Sequence, residues 1–153
     1  MHEQTEWEWL HFKDMTATQL YEVLALRMDV FILEQKCLWN DLDGLDQDCH
    51  HLLGWRMVDG KRRLAAYLRV LAPGVHYDEM SIGRVVNARF ARGSGIGREL
   101  MTYGIKLAEQ QYPGHRIKIG AQRYLEKFYG SFGFVTVSEP YDEDGIIHVK
   151  MLR

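Results

Sequence analysis

The stretch Asn87-Ala88-Arg89-Phe90-Ala91-Arg92-Gly93-Ser94-Gly95-Ile96-Gly97-Arg98-Glu99-Leu100 decides the fold. A strand-like run, Ser81-Ile82-Gly83-Arg84-Val85-Val86, precedes it, and an amphipathic helical pattern follows. Three glycines fall within five residues, between Arg92 and Arg98. A strand, a glycine loop and a helix in that order bring loop amides and a helix N-terminus to one point. Peptide dipoles make that point favourable for an anion. Glycine permits positive φ and a close backbone approach. The stretch reads as a cradle for a phosphate or pyrophosphate.

Two common phosphate loops do not fit. The Gly-x-x-x-x-Gly-Lys-Ser/Thr loop needs a lysine that is absent here. The dinucleotide fingerprint needs a glycine where Arg98 stands. The spacing left is Arg92-x-x-Gly95-x-Gly97.

The bulk properties are those of one ordinary globular domain. The chain has 153 residues, 46% apolar and 26% charged. A formal charge of −2 and a pI near 6.4 argue against nucleic acid as the main partner. No apolar run approaches the roughly 20 residues that span a bilayer. The acidic start, Met1-His2-Glu3-Gln4-Thr5-Glu6, does not resemble a signal peptide. Cys37 and Cys49 make no disulfide framework, so a cytoplasmic protein with free thiols is expected.

Outward from the loop, Trp7 to Phe12 reads as a strand. Thr16-Ala17-Thr18-Gln19 fits a capping box that starts a helix, with Leu20, Leu24, Arg27 and Phe31 as its core stripe beside Val23 and Val30. His51 to Val58 and Leu64 to Leu71 are strands joined at Asp59-Gly60, a hairpin signal. Three antiparallel strands thus precede the glycine loop, whereas a dinucleotide fold places its fingerprint in the first βαβ unit. The helix from Gly95 carries Ile96, Leu100, Tyr103, Gly104, Leu107, Ala108 and Gln111 at core spacing. Gly104 suggests close packing on the sheet. Arg116 to Ala121 is a strand, which makes Ser81–Ala121 a strand–helix–strand unit with a right-handed crossover. A short helix over Gln122 to Phe134, a strand from Phe134, an acidic turn at Asp142 to Gly145 and a last strand, Ile146 to Leu152, complete the chain.

Arg92-x-x-Gly95-x-Gly97 at a strand-to-helix junction, with Tyr129-x-x-x-Gly133-Phe134 further on, resembles the paired acetyl-CoA signatures of the GCN5-related N-acetyltransferases, the GNAT superfamily. Arg27-x-x-Val30-Phe31, Glu34-Gln35, Asp41-x-Asp43-x-x-Asp46, His51-x-x-Gly54-Trp55, Ile82-Gly83-Arg84-Val85, Gly120-Ala121-Gln122 and Tyr141-x-Glu143-Asp144-Gly145-Ile146-x-His148 are similar to its ElaA-like branch. The resemblance runs from the first helix to the last strand. It implies a single α+β (α/β) domain over residues 1–153. The central sheet would be mixed, mostly antiparallel and flanked by helices, splayed where acetyl-CoA enters.

The same resemblance implies an N-acetyltransferase that uses acetyl-CoA as cosubstrate and acts on a primary amine of a small molecule or peptide. No metal is expected, and direct transfer in a ternary complex is expected because neither cysteine is set up to carry the acyl group. Arg92, Gly93, Ser94, Gly95, Ile96, Gly97 and Arg98 would hold the pyrophosphate. Val85, Val86 and Asn87 would pair with the pantetheine amides, and Gln122 and Tyr129 would complete the cofactor site. Asn87 stands where the pattern usually has an apolar residue.

Acyl transfer needs a deprotonated amine, donors for the oxyanion and an acid for the leaving thiolate. A backbone N–H near Val86 is the candidate donor, and Tyr129 matches the family's acid. Glu34 and His148 are the candidate bases. Histidine has a suitable pKa unaided, whereas Glu34 would need its pKa raised by burial. Arg69 and Arg84 would either orient an acidic substrate group or form buried ion pairs. Neither cysteine has a nearby base that would make it an acyl carrier.

Asp41, Asp43, Asp46 and Asp48 form an acidic loop with Gly44. Its register fails the calcium-hand rule. It reads either as a solvated turn or as an acidic rim attracting a cationic amine. Cys49-His50-His51 offers poor metal geometry, because adjacent strand residues face opposite sides. A non-catalytic acyl-CoA sensor is the alternative on the same fold. Monomer and homodimer both remain open, since Trp7, Trp9 and Trp39 suit either a contact surface or the core.

Overall fold

The computed structural model describes residues 4–153. Four strands lead in antiparallel order: β1 (Glu6–His11), β2 (His50–Val58), β3 (Lys61–Leu71) and β4 (Ser81–Asn87). Asp59 and Gly60, at φ 49° and 76°, make the tight β2–β3 turn that their sequence announces. Trp7 lies so close over Gly54 that a Cβ there would stand 2.6 Å from its ring.

Helix α1 (Ala17–Arg27) opens with the expected capping box. The Thr16 hydroxyl accepts from the Gln19 amide at 3.1 Å, and the Gln19 side chain accepts from the Thr16 amide at 2.8 Å. Its buried stripe is Val23, Leu26, Arg27 and Val30, rotated from the expected one, and Leu24 is only half-buried. The helix then widens into a π-helical stretch, Met28–Glu34, which no residue pattern announced. The Gln35 amide bonds the Val30 carbonyl, five residues back, at 2.9 Å.

Helix α2 (Ile96–Gln111) covers one face of the first sheet. Ile96, Leu100, Met101, Ile105 and Ala108 pack against Leu52, Ala66, Leu68 and Val70. Two residues of the expected stripe, Tyr103 and Gln111, are exposed instead, because the buried face runs through Met101 and Ile105. Gly104 does sit against the sheet. Its missing Cβ would lie 2.6 Å from a Leu68 methyl. On the opposite face Val23, Leu26 and Val30 pack with Leu53, Trp55, Tyr67 and Val86. The sheet therefore lies between α1 and α2.

The second sheet has the order β5 (Lys118–Gln122), β8 (Ile146–Leu152), β6 (Val135–Thr136), and β7 (Tyr141–Glu143) also pairs with β8. All its pairings are antiparallel. The expected helix over residues 122–134 shortens to α3 (Glu126–Gly130). The acidic turn proves to be a hairpin, with Asp144 and Gly145 at φ 52° and 84°. Among the described residues the two sheets join in parallel at Met80 and Ile117, where the Lys118 amide donates to the Met80 carbonyl at 2.9 Å. Beyond that point β4 and β5 separate, which gives the mixed, splayed sheet that was expected. The strand–helix–strand unit spans both sheets.

A bulge in β4 shapes the opening. Tyr67 pairs with Val86 and Arg69 with Gly83, so Leu68 faces both Arg84 and Val85. Arg84 has φ 52°, an uncommon conformation for a side chain of its size.

Candidate active site

The gap between β4 and β5 is a cleft of about 820 Å³. Val85, Val86 and Asn87 of β4 and Arg92 of the following loop line it on one side, and Gln122 of β5 and Tyr129 of α3 on the other. These six were all expected in the cofactor site. Gly93 to Arg98 continue directly from Arg92 as the strand-to-helix loop. Gly93 and Gly95 adopt φ 79° and 84°, and open space lies where a Cβ on either would stand. Gly95 caps α2, so the loop delivers the N-terminal amides of a sixteen-residue helix. A Cβ on Gly97 would meet the Asn87 amide at 3.0 Å. The polar residue that departs from the family pattern therefore packs under the loop. Arg98 turns away towards Ser131, at 3.3 Å, and lies over the Phe132 ring.

Glu34 and Arg92 form a two-pronged ion pair, one prong at 2.8 Å, and Arg89 adds a contact at 3.4 Å. Arg92 also donates to the Asn87 carbonyl at 3.2 Å. The Arg92 hydrogen bond, foremost, holds the Glu34 pKa below its usual value. A base at neutral pH needs the opposite shift, so this ion pair weighs against the expectation of Glu34 as a base.

Tyr129 is buried at the cleft wall, edge-on to Phe128 and Phe134. Burial pushes its pKa up to about 12, so it keeps its proton at neutral pH. His148 lies on β8, opposite Gln122 on β5 and Tyr141 on β7. Its Nδ1 stands 2.8 Å from the Ile146 carbonyl, which only accepts, so in the neutral ring Nδ1 carries the hydrogen. Nε2 is left to take a second proton, with a Glu143 carboxylate oxygen 3.3 Å away. Gln122 donates across the cleft to Gln35 at 3.4 Å.

The acidic rim does not exist as a free anionic surface. Arg27 pairs with Asp41 and Asp46, each at 2.7 Å. Arg69 pairs with Asp43 at 2.5 Å and Asp46 at 2.8 Å. Arg84 pairs with Asp41 at 2.8 Å and Asp43 at 3.3 Å, and stacks on Trp39. Three guanidinium groups thus neutralise three carboxylates, and the arginines form buried ion pairs. Burial opposes it, but hydrogen bonds from Arg69 and Arg27 hold Asp43 and Asp46 well below the usual carboxylate range. The network pins the acidic loop to β3 and to the β4 bulge.

His50 and His51 do face opposite ways. His50 stacks on Trp9, while His51 is wholly buried against Tyr67. Cys37 borders the cleft and Cys49 is in the core. Burial raises the Cys49 thiol pKa to about 11. Sequence reasoning missed Trp39, His76, Tyr77 and Glu143 as cleft residues. They sit on loops and a hairpin whose positions have no local signature.

Residues 56–153 match the family model of the acetyltransferase (GNAT) domain. The chain belongs to the GNAT acetyltransferase family. Protein ElaA of Escherichia coli is 39% identical over 97% of this chain and 95% of its own. A UPF0039 protein of Synechocystis is 41% identical over the same shares. Among solved structures, an acyl-CoA N-acyltransferase from Pseudomonas aeruginosa superposes with a TM-score of 0.91 at 43% identity, covering 98% of this chain and 99% of that one. Escherichia coli ElaA superposes with a TM-score of 0.89. Fold and family agree with the ElaA-like GNAT resemblance. Among the described residues, no helix is long and apolar enough to cross a membrane.

Proposed function

We propose that this protein is an acetyl-CoA-dependent N-acetyltransferase that acts on a primary amine by direct transfer in a ternary complex. The observation that carries the reading is the pairing of an open glycine loop at the α2 N-terminus with a splayed β4–β5 cleft. The loop fits a diphosphate: Gly93 and Gly95 take positive φ and leave open the space a side chain would fill. The cleft continues from that loop to Tyr129 and His148.

The residues then divide the chemistry. Amides of Gly93 to Gly97 bind the diphosphate, and Arg92 adds charge beside them. The β4 backbone at Val85, Val86 and Asn87 aligns the pantetheine arm. An N–H of the bulged segment near Val86 stabilises the carbonyl oxygen as it gains negative charge. His148 Nε2 takes the proton that the acceptor ammonium loses before its nitrogen attacks, and Glu143 pairs with the resulting imidazolium. Tyr129 returns a proton to the departing thiolate.

Calorimetry with acetyl-CoA tests the cofactor half, with Gly95→Glu and Gly97→Glu beside the wild type. Binding by the wild type and its loss in both variants is the expected result. Absence of binding by folded wild type would sink the reading. Thiol release in the presence of an amine panel tests turnover. Acetyl-CoA binding without turnover of any amine would favour the sensor alternative.

A further inference from the structure

Behind the glycine loop lies a buried cation that the chemistry above does not use. Arg56 sits on β2 and is 5% exposed. Its Nη1 donates to the Ser94 hydroxyl at 2.9 Å, and its Nε donates to the Thr5 hydroxyl at 2.9 Å. Its Nη2 lies 3.9 Å from a Glu99 carboxylate oxygen on α2. Ser94 in turn donates to the Ala91 carbonyl at 2.5 Å. Ser94 is the residue between Gly93 and Gly95, both in the left-handed region.

We infer that Arg56 is a positioning residue for diphosphate binding: it holds Ser94, and through Ser94 it holds the glycine loop in its binding conformation. This rests on the proposed acetyl-CoA site and adds to it a residue from outside the loop. The physical argument has two parts. A loop with three glycines loses much conformational freedom when it grips a ligand, and that loss weakens binding unless the loop is ordered beforehand. Here the Ser94 side chain is an anchor for the loop, and its hydroxyl is engaged on both sides, accepting from Arg56 and donating to Ala91. The second part is charge. The hydrogen bond from the guanidinium to the Ser94 hydroxyl is charge-assisted, so it is stronger than a neutral one and holds the hydroxyl against competition from water. Only arginine can do both. Its planar fork donates in two directions at once, to Thr5 and to Ser94, whereas a lysine ammonium on its flexible stem has no such rigid geometry.

The test compares two probes by calorimetry or ligand-detected NMR: coenzyme A, and acetyl-pantetheine, which lacks the diphosphate. Arg56→Met and Ser94→Ala are each expected to weaken coenzyme A binding about ten-fold, the scale of one lost charge-assisted hydrogen bond. Acetyl-pantetheine binding is expected to stay within about two-fold, because the β4 strand is untouched. Arg56→Lys should fall between wild type and Arg56→Met. The double variant should bind no worse than the weaker single one, since both changes break the same brace.

Equal weakening for both probes would show a general structural role and overturn the proposal, as would unchanged coenzyme A binding in both variants. Arg56→Lys keeps the charge and most of the buried volume, so its comparison across the two probes, read beside Ser94→Ala, decides the matter if Arg56→Met does not fold. Failure of wild type to bind coenzyme A would instead sink the proposed function itself, which separates the two readings.

Discussion

The carboxylate of Glu34 grips the guanidinium of Arg92 with both oxygens, across 58 positions of sequence. This ties the end of the π-helical stretch to the first residue of the pyrophosphate signature. It also matches the Glu34 carboxylate with guanidinium charge at the cofactor mouth. Glu34→Gln should therefore leave the chemical step nearly intact. Loss of a general base typically costs about 10²–10⁴-fold in rate. We expect kcat to change by less than about ten-fold, with the larger effect on the KM for acetyl-CoA. Steady-state thiol release decides it; a fall in kcat beyond about 100-fold would restore Glu34 as the base.

Tyr129→Phe keeps the aromatic packing with Phe128 and Phe134 and removes only the hydroxyl. With its pKa at about 12, that group is protonated at working pH in the wild type. If it protonates the thiolate, kcat should drop by about 10²-fold while acetyl-CoA affinity stays within a few-fold. Unchanged turnover would leave the leaving thiolate without need of an acid.

His51 makes stability depend on pH. Its Nε2 faces the Asp46 carbonyl at 2.9 Å, so it carries the hydrogen, and Nδ1 accepts from the Tyr67 hydroxyl at 2.6 Å. Burial, the largest cause, lowers its pKa from 6.5 to about 4. The folded state therefore keeps His51 neutral where the unfolded chain takes up a proton. The stabilisation is complete above about pH 6.5 and declines as pH falls towards about 4, by roughly 3 kcal/mol. The lowered pKa values of His50 and His76 add loss of the same sign. Urea midpoints at pH 7.5 and 5 measure this. His51→Gln should be less stable at pH 7.5 and show a shallower decline, and an equal slope in the two proteins would refute the assignment.

Gly104→Ala sets two effects against each other. Alanine gains about 1 kcal/mol of helix propensity over glycine. The new methyl, however, would stand 2.6 Å from a Leu68 methyl, and Leu68 is wholly buried. Overpacking of this kind costs about 1–3 kcal/mol. The net expectation is a loss of stability, visible as a lower melting temperature. Adding Leu68→Val should recover part of it. A melting temperature raised by Gly104→Ala alone would show that Leu68 moves aside freely.

Asp46 accepts from both Arg27 and Arg69 inside the protein. Asp46→Asn leaves two buried guanidinium groups short of a counter-charge. A cost of about 3–5 kcal/mol in urea unfolding is expected. Because the Asp46 pKa is lowered, its contribution is present above the ordinary carboxylate range and is lost as pH falls through the folded value. The variant should accordingly lose less stability than wild type on acidification below about pH 4.

Much of this protein was legible from local signals. The capping box at Thr16 and Gln19, the Asp59-Gly60 turn and the last strand each depend on neighbours in sequence, so residue type alone predicts them. The glycine loop belongs with them: Gly93 and Gly95 are where the backbone takes positive φ, and the spacing to Gly97 sets them at the start of a helix. What escaped the sequence depends on partners far along the chain. Asp41, Asp43 and Asp46 read as an acidic rim until folding brings Arg27, Arg69 and Arg84 against them. Glu34 reads as a possible base until Arg92 fixes its charge. Arg56 reads as one more strand residue until β2 is laid beneath the loop that holds Ser94. The π-helical stretch and the β4 bulge are likewise set by what packs on them. Sequence determined where the backbone can turn and which faces are apolar, because those are short-range properties. Tertiary structure decided which charges are spent on one another, because pairing is settled by distance in space.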